Sequence, residues 1–231
     1  SLQDGGMTTS SSDSRYAARL EVDYPEQLDR FTTFFRILWI IPIAIVFSIL
    51  STSSESTVTL IDEAGDVVSS ASWSSGSIAT SLAVVTALLI IFRQRYPRWW
   101  FNFALELNRF GARIGAYFAL LTDAYPSTED EQAVHLDLDY PDVPQDLNRW
   151  LPLVKWFLAI PHYVVLFFLY IGAVFAVIIA WFAILFTGRY PQGLFDYVVG
   201  VGRWTLRVLA YATLLLTDKY PPFSLAVTPT E

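Results

Sequence analysis

The sequence contains no cysteine, which excludes disulfides, thiol nucleophiles and Cys-ligated metal sites. Charge is scarce as well: 16% of residues are charged, against about 25% in an ordinary soluble domain. The scarcity is uneven, since long stretches carry almost none while one loop and both ends are acidic and Ser/Thr-rich. Basic residues are outnumbered, 15 Lys and Arg against 22 Asp and Glu for a net charge of -7. A nucleic-acid partner is thereby disfavoured, because phosphate contacts need Lys/Arg patches. No nucleophile elbow, phosphate loop, HExxH or triad-like grouping occurs. The sequence therefore points to no catalytic, cofactor-binding or metal-ligating residue and to no cofactor. Ser1–Ser14 lacks an apolar run, so no signal peptide is expected there. Met7 reads as a natural start, and residues 1–19 as a disordered polar tail.

What remains is apolar: 54% of the 231 residues are hydrophobic and 16% aromatic. Thr32–Leu50 and Ser77–Phe92 read as two membrane spans. They flank a polar loop with Glu55, Asp62, Glu63 and Asp66 and no Lys or Arg. Arg30, Arg36, Arg93, Arg95 and Arg98 mark the cytoplasmic side and the acidic loop the outside. From Trp156 to Gly188 there is no charged residue, a run of about 50 Å as one helix against a hydrocarbon core of roughly 30 Å. Two spans, 151–170 and 172–188, joined by a tight turn near Tyr170–Gly172, would accommodate it. Lys155 and Arg189 would then both be cytoplasmic, as would both termini.

The chain also repeats itself. Leu20-Glu-Val-Asp-Tyr-Pro25 recurs as Leu136-Asp-Leu-Asp-Tyr-Pro141, Arg36 and Pro42 as Lys155 and Pro161, and Arg95-Tyr96-Pro97 as Arg189-Tyr190-Pro191. Arg109-Phe110 and Arg113 recur as Arg203-Trp204 and Arg207, and Leu121-Thr-Asp-Ala-Tyr-Pro126 as Leu216-Thr-Asp-Lys-Tyr-Pro221. Conserved order and spacing predict two units, 20–132 and 133–231, in parallel orientation about a pseudo-two-fold axis along the membrane normal. Each unit closes with a less apolar helix, 99–121 or 192–216, whose polar stripe suits the cytoplasmic interface; a third span per unit is the alternative. Leu20/Val22/Tyr24 and Leu136/Leu138/Tyr140 alternate with acidic residues, a strand pattern, and Phe223–Val227 could add a third strand. The fold class expected is an all-α membrane protein of two parallel repeats, each a transmembrane helical hairpin plus an interfacial amphipathic helix, with small cytoplasmic β-strands.

Trp181-Phe-Ala-Ile-Leu-Phe-Thr-Gly-Arg-Tyr-Pro191, Phe195, Gly202-Arg203-Trp204, Arg207 and Leu216-Thr-Asp-Lys-Tyr-Pro-Pro-Phe223 resemble the bacterial membrane-protein family of domain of unknown function 4389. The first unit departs from it, with Phe92-Arg-Gln-Arg-Tyr-Pro97 and Pro126-Ser127 in the corresponding places. The resemblance spans roughly residues 20–225 in two tandem copies. It implies a multispanning protein of the bacterial plasma membrane and carries no activity.

The candidate lipid- or partner-binding residues are Arg109, Arg113, Arg203 and Arg207, whose paired guanidinium groups could meet lipid phosphates or a partner's carboxylates. Structural pairing with Glu106, Asp123, Asp196 or Asp218 is the favoured alternative. His162 is an intramembrane histidine, but Ile43 occupies the matching position and no second His lies near it in sequence, so satisfied burial outweighs a haem or quinone role. Glu21/Asp23 and Asp137/Asp139 would form a cation site only if their strands met. The function expected is a non-catalytic accessory or scaffold subunit of a plasma-membrane complex, with a membrane-protein partner or a second copy beside membrane lipids. Lipid binding or transport is the alternative, and a membrane enzyme or electron carrier the lesser one.

Overall fold

A computed structural model describes residues 16–36, 41–42, 45, 54–61, 67–75, 78–127, 132–143 and 147–227. The expectations for residues 1–15, for most of the 32–50 span and for Asp62, Glu63 and Asp66 fall outside them. In chain order the strands are β1 (Ala18–Val22), β2 (Ser54–Ile61), β3 (Val67–Ser75) and β4 (Val134–Leu138). The helices are α1 (Ile78–Leu88), continued by a π turn over Leu89–Arg93, then α2 (Arg98–Phe118), α3 (Pro152–Leu158), α4 (Ile160–Thr187) and α5 (Gln192–Ala212). Residues 30–36 are also helical. The protein is thus mostly helical with small two-stranded sheets, and α4 is the one helix among the described residues long and apolar enough to cross a membrane.

The two acidic alternating segments do pair. β1 runs antiparallel to β4 with Leu20 opposite Leu136. Asp23 N donates to Ala133 O and Asp139 N to Ala17 O, so the ladder bonds fall on the odd-numbered residues of both strands. The Leu20 and Leu136 carbonyls therefore point outward, one on each edge. Two strands alone are marginal in water, and this pair is held by α5 on β1 and α2 on β4. Val134, Leu136 and Leu138 are buried while His135 and Asp137 are exposed, the alternation of a sheet with one face on a core.

Three expectations are corrected. The turn near Tyr170–Gly172 does not exist: α4 is unbroken over 28 residues, about 42 Å at 1.5 Å per residue. Gly172 is a packing residue. A Cβ there would lie 2.5 Å from the Tyr197 hydroxyl, which donates to Leu169 O at 2.9 Å. A turn in so apolar a run would also leave backbone groups unpaired. Residues 133–231 accordingly contain one long helix where a hairpin was expected. Between the first unit's apolar segments stands an antiparallel hairpin, β2 with β3, in place of a plain polar loop. Phe223–Val227 is not a strand; the carbonyls of Ser224, Ala226 and Val227 accept from Arg207.

α4 and α5 pack antiparallel along their lengths. Ala159 clusters with Tyr211 and Ala212, and Leu166 with Trp204 and Val208; Ala180 and Ile184 cluster with Phe195. At 3.6 residues per turn, Tyr197, Trp204, Val208 and Tyr211 share one side of α5. Gly202, Arg203 and Leu206 lie on the opposite side, where Gly202 lets Leu20 approach: an added Cβ would stand 3.2 Å from Leu20 Cδ2. The order through the molecule is thus sheet, then α5, then α4.

Candidate functional site

A cavity of about 750 Å³ lies between α2 and α5. Leu20, Val22, Val134 and Leu136 form its wall on the sheet side, and Ala173, Val174, Val177 and Ile178 of α4 the wall opposite. α2 contributes Leu107, Gly111, Ala112 and Gly115, and α5 contributes Val198, Gly202, Leu206 and Leu209. Its few polar side chains are Asn108, Tyr170, Thr205 and Thr213. Asn108 donates to Ala104 O, Tyr170 and Thr205 share a hydrogen bond of 2.9 Å, and Thr205 donates to Val201 O. Small residues on α2 create the space. A Cβ at Gly115 would meet nothing within 4 Å.

None of the four arginines singled out in the sequence is among the residues that line this cavity, and each is bonded within the protein. Arg109 donates from Nε to Leu136 O at 2.9 Å and pairs with Glu106 at 2.8 Å and Asp137 at 3.1 Å. Arg203 donates from Nε to Leu20 O at 2.9 Å. These are the two outward carbonyls of the central strand pair, so each guanidinium closes one edge of the sheet. Arg113 donates to Ser127 O. Arg207, 3% exposed, pins the segment after α5 through Ser224, Ala226 and Val227 carbonyls. Burial pulls the Arg203 and Arg207 guanidinium groups below their usual value; Glu21 and Asp196 oppose this for Arg203, and Tyr16 for Arg207.

The strands meet but their carboxylates do not: the register sets Glu21 opposite His135 and Asp137 opposite Arg19. Arg19 makes a bidentate pair with Asp139 at 2.8 and 2.9 Å, Asp137 takes Arg109, and Asp23 lies 3.2 Å from His135 Nε2. No cluster of three potential metal ligands occurs among the described residues. His162 is fully buried. Its Nδ1 accepts from Trp204 Nε1 at 3.1 Å, which places the proton of the neutral ring on Nε2. Its ring stacks on Phe223 with centroids 4.1 Å apart and packs against Tyr220.

Two buried cations were not singled out in advance. Arg36 pairs with Asp123 and donates to Tyr117 O; Lys155 pairs with Asp218 at 2.7 Å and donates to Thr217 O. The available signal was the recurrence of Arg36 as Lys155, and of their partners Asp123 and Asp218 in Leu-Thr-Asp-x-Tyr-Pro. Further contacts also come in reciprocal pairs. Tyr24 donates to Tyr190 O and Tyr140 to Tyr96 O. Tyr190 donates to Ala119 O and Tyr96 to Leu214 O. Asp123 accepts from Asp29 N and Asp218 from Asn148 N.

Neither a curated protein nor a solved structure matches the chain. Residues 150–224, from just before α3 to the segment that Arg207 holds, match the family described as a domain of unknown function (DUF4389).

Proposed function

We propose that this chain is a non-catalytic protein of the bacterial plasma membrane that holds a lipid-like apolar molecule between two like units, 20–132 and 133–231. The cavity between α2 and α5 carries the reading. It is apolar, it is walled by the most apolar helix, and three of its four polar side chains, Asn108, Tyr170 and Thr205, already have partners within the protein. Recognition there is by shape and apolar burial. The stripe arginines act as edge closures and pins. The reciprocal bonds support two units about a pseudo-two-fold axis, since a translation would not return each contact to its counterpart. Tyr16 donates to Arg207 O and Lys219 O, which supports both ends of the chain lying on one side. The arginine distribution makes that side cytoplasmic, with the first unit's segments 32–50 and 77–93 as a hairpin whose acidic loop faces outward.

Gly115→Phe tests the cavity by filling it from a position with room for a side chain. Organic extraction of purified protein, read by mass spectrometry, should recover a stoichiometric lipid from wild type and much less from Gly115→Phe, at similar thermal stability. Equal recovery from both would overturn the reading. Gly115→Ala, which leaves most of the space open and favours the helix by about 1 kcal/mol, should retain the lipid.

An accessory-subunit role is the second reading, favoured by the outer face of α4. Phe167, Phe168, Phe175, Phe182 and Phe186 are all more than half exposed there. Native purification in mild detergent should then yield a stoichiometric membrane-protein partner or a second copy; a lone chain in every mild detergent counts against it.

A further inference from the structure

We infer that α4 lies along the membrane and does not cross it, so that the second unit docks flat on an anionic bilayer through the outer face of α3 and α4. The inference rests on the placement in a membrane argued above, but not on occupancy of the cavity.

The path of the chain comes first. β4 is paired with β1, and the segment after α5 returns to Tyr16, just before β1, where the Tyr16 hydroxyl meets Lys219 O. Between these points the chain must cross the membrane an even number of times. α4 and α5 are the long helices on that path, so both cross or neither does. α5 lies on the sheet at its middle, with Arg203 on Leu20 O and Gly202 against the Leu20 side chain. If α5 crossed, the sheet would sit beside its midpoint at bilayer depth. The outer face of that sheet carries Glu21, Asp23, His135, Asp137 and Asp139, all exposed. Several charged side chains facing hydrocarbon at that depth are costly. With neither helix crossing, the same face meets water.

The layer order gives the same answer. The charged sheet face and α4 lie on opposite sides of α5, so polarity is segregated along one direction through the molecule. A slab charged on one side and apolar on the other rests with its apolar side in the acyl region. α4 suits that place. No charge interrupts Trp156 to Gly188, only a narrow stripe (His162, Leu166, Ala173, Ala176, Ala180, Ile184) is buried against the protein, and the remainder is largely exposed and apolar. The polar side that an isolated in-plane helix needs is supplied here by α5 and the layers above it.

Charge complementarity fixes the partner. Arg30 and Arg189 line one polar recess with Gln27 and Thr187 at the end of α4. At the other end Arg149 donates to Ile91 O, beside Arg93 and Arg95. Arg30, Arg93, Arg95 and Arg189 are exposed and make no ion pair with any described residue. Arginines at both ends of one apolar helix suit phosphate headgroups at one depth.

The absence of cysteine allows a clean test on the full chain. Single cysteines replace Gln27, beside the C-terminal end of α4, and Lys219, on the segment near its N-terminal end. A third replaces Phe175 on the outer face. The probe is a membrane-impermeant maleimide applied to right-side-out and inverted vesicles. Labelling of Gln27→Cys and Lys219→Cys from the same side only, with Phe175→Cys protected from both, is the expected result. Labelling of the two end positions from opposite sides would overturn the inference. So would free labelling of Phe175→Cys in protein that retains wild-type thermal stability. If a cysteine at Phe175 prevents folding, Phe168→Cys on the same face carries that arm. The groove reading stands or falls on lipid recovery from Gly115→Phe, so the two can fail separately. Purified protein should also bind vesicles of phosphatidylglycerol and phosphatidylcholine about tenfold more tightly than phosphatidylcholine alone, as a few headgroup contacts require. The preference should vanish in Arg30→Gln/Arg189→Gln; a preference that survives unchanged would remove the headgroup part of the inference.

Discussion

The stretch from Arg36 to Tyr96 and the stretch from Lys155 to Tyr190 begin and end alike and differ between. Each starts at a buried cation paired with the aspartate of a Leu-Thr-Asp segment. Each ends at a buried tyrosine whose hydroxyl reaches a carbonyl just after a long helix, Tyr96 after α5 and Tyr190 after α2. In the second the path runs through the end of α3 and the whole of α4, which is stopped by Gly188 at φ 73°. In the first the β2–β3 hairpin intervenes, α1 finishes in a π turn, and Gln94 takes the left-handed conformation at φ 47°. The lesson is that the two stretches share the anchors at their ends, while the path between them differs.

The most severe way to break the comparison is to strand one buried cation. Asp218→Asn should destabilise the protein by about 3–5 kcal/mol, the usual cost of leaving a buried charge unpaired, read as a shift in the unfolding midpoint in mild detergent. Lys155 is fully buried, so it has no water to turn to. Asp123→Asn should cost a similar amount through Arg36, which is 3% exposed. A loss below about 1 kcal/mol at either site would show that the two anchors are not equivalent.

The edge arginines come next. Arg109→Gln and Arg203→Gln should each cost about 1–3 kcal/mol by leaving an outward strand carbonyl without its charged donor. The double variant should cost less than the sum, because both act on the same two-stranded ladder. Strict additivity would mean that the arginines do not act through the strands.

Gln94→Gly should sharpen the comparison by giving the first unit the stop residue of the second. Relief of a left-handed non-glycine residue predicts a gain of up to about 1 kcal/mol in denaturant unfolding. The same logic fails at Leu120 and Leu215, which have φ 64° and 57° but are buried at 4% and 0% exposure. Glycine there would forfeit more packing than it relieves.

The smallest effect is expected from removing β2 and β3. Replacing residues 54–75 by a short Gly/Ser linker should change stability by no more than about 0.5 kcal/mol, since loop length enters closure entropy only logarithmically. A large loss would give the hairpin a structural role of its own.

Much of this arrangement was legible in the sequence and some could not be. Alternation at Leu20/Val22 and Leu136/Leu138 gave the strands, because one face meets water. The duplicated Asp-Tyr-Pro and Arg-Tyr-Pro segments carry the tyrosines that make the reciprocal bonds. The long apolar run misled, because a charge-free stretch of that length reads equally as two spans or one helix. Gly172 looked like a turn residue until Tyr197 was seen to occupy the space it leaves. The task of Arg109 and Arg203 was hidden for a different reason. The stripe spacing did offer Glu106 to Arg109, but the contact the two arginines share is with backbone carbonyls, which every residue has and no side-chain pattern announces.

The pairing of β1 with β4 has a consequence for the order of synthesis. Arg19 and Asp139, bonded across that pair, are 120 residues apart in the chain. β1 therefore emerges from the ribosome long before β4, its strand partner among the described residues, exists. At roughly 5–20 residues per second it waits on the order of ten seconds with the Leu20 carbonyl and the Leu20 and Val22 side chains uncovered. Arg203, which closes the β1 edge, arrives later still. The N-terminal half is thus committed to an unfinished state until the C-terminal half is made. Its exposed strand is the place where a chaperone, or a wrong neighbour, would bind first.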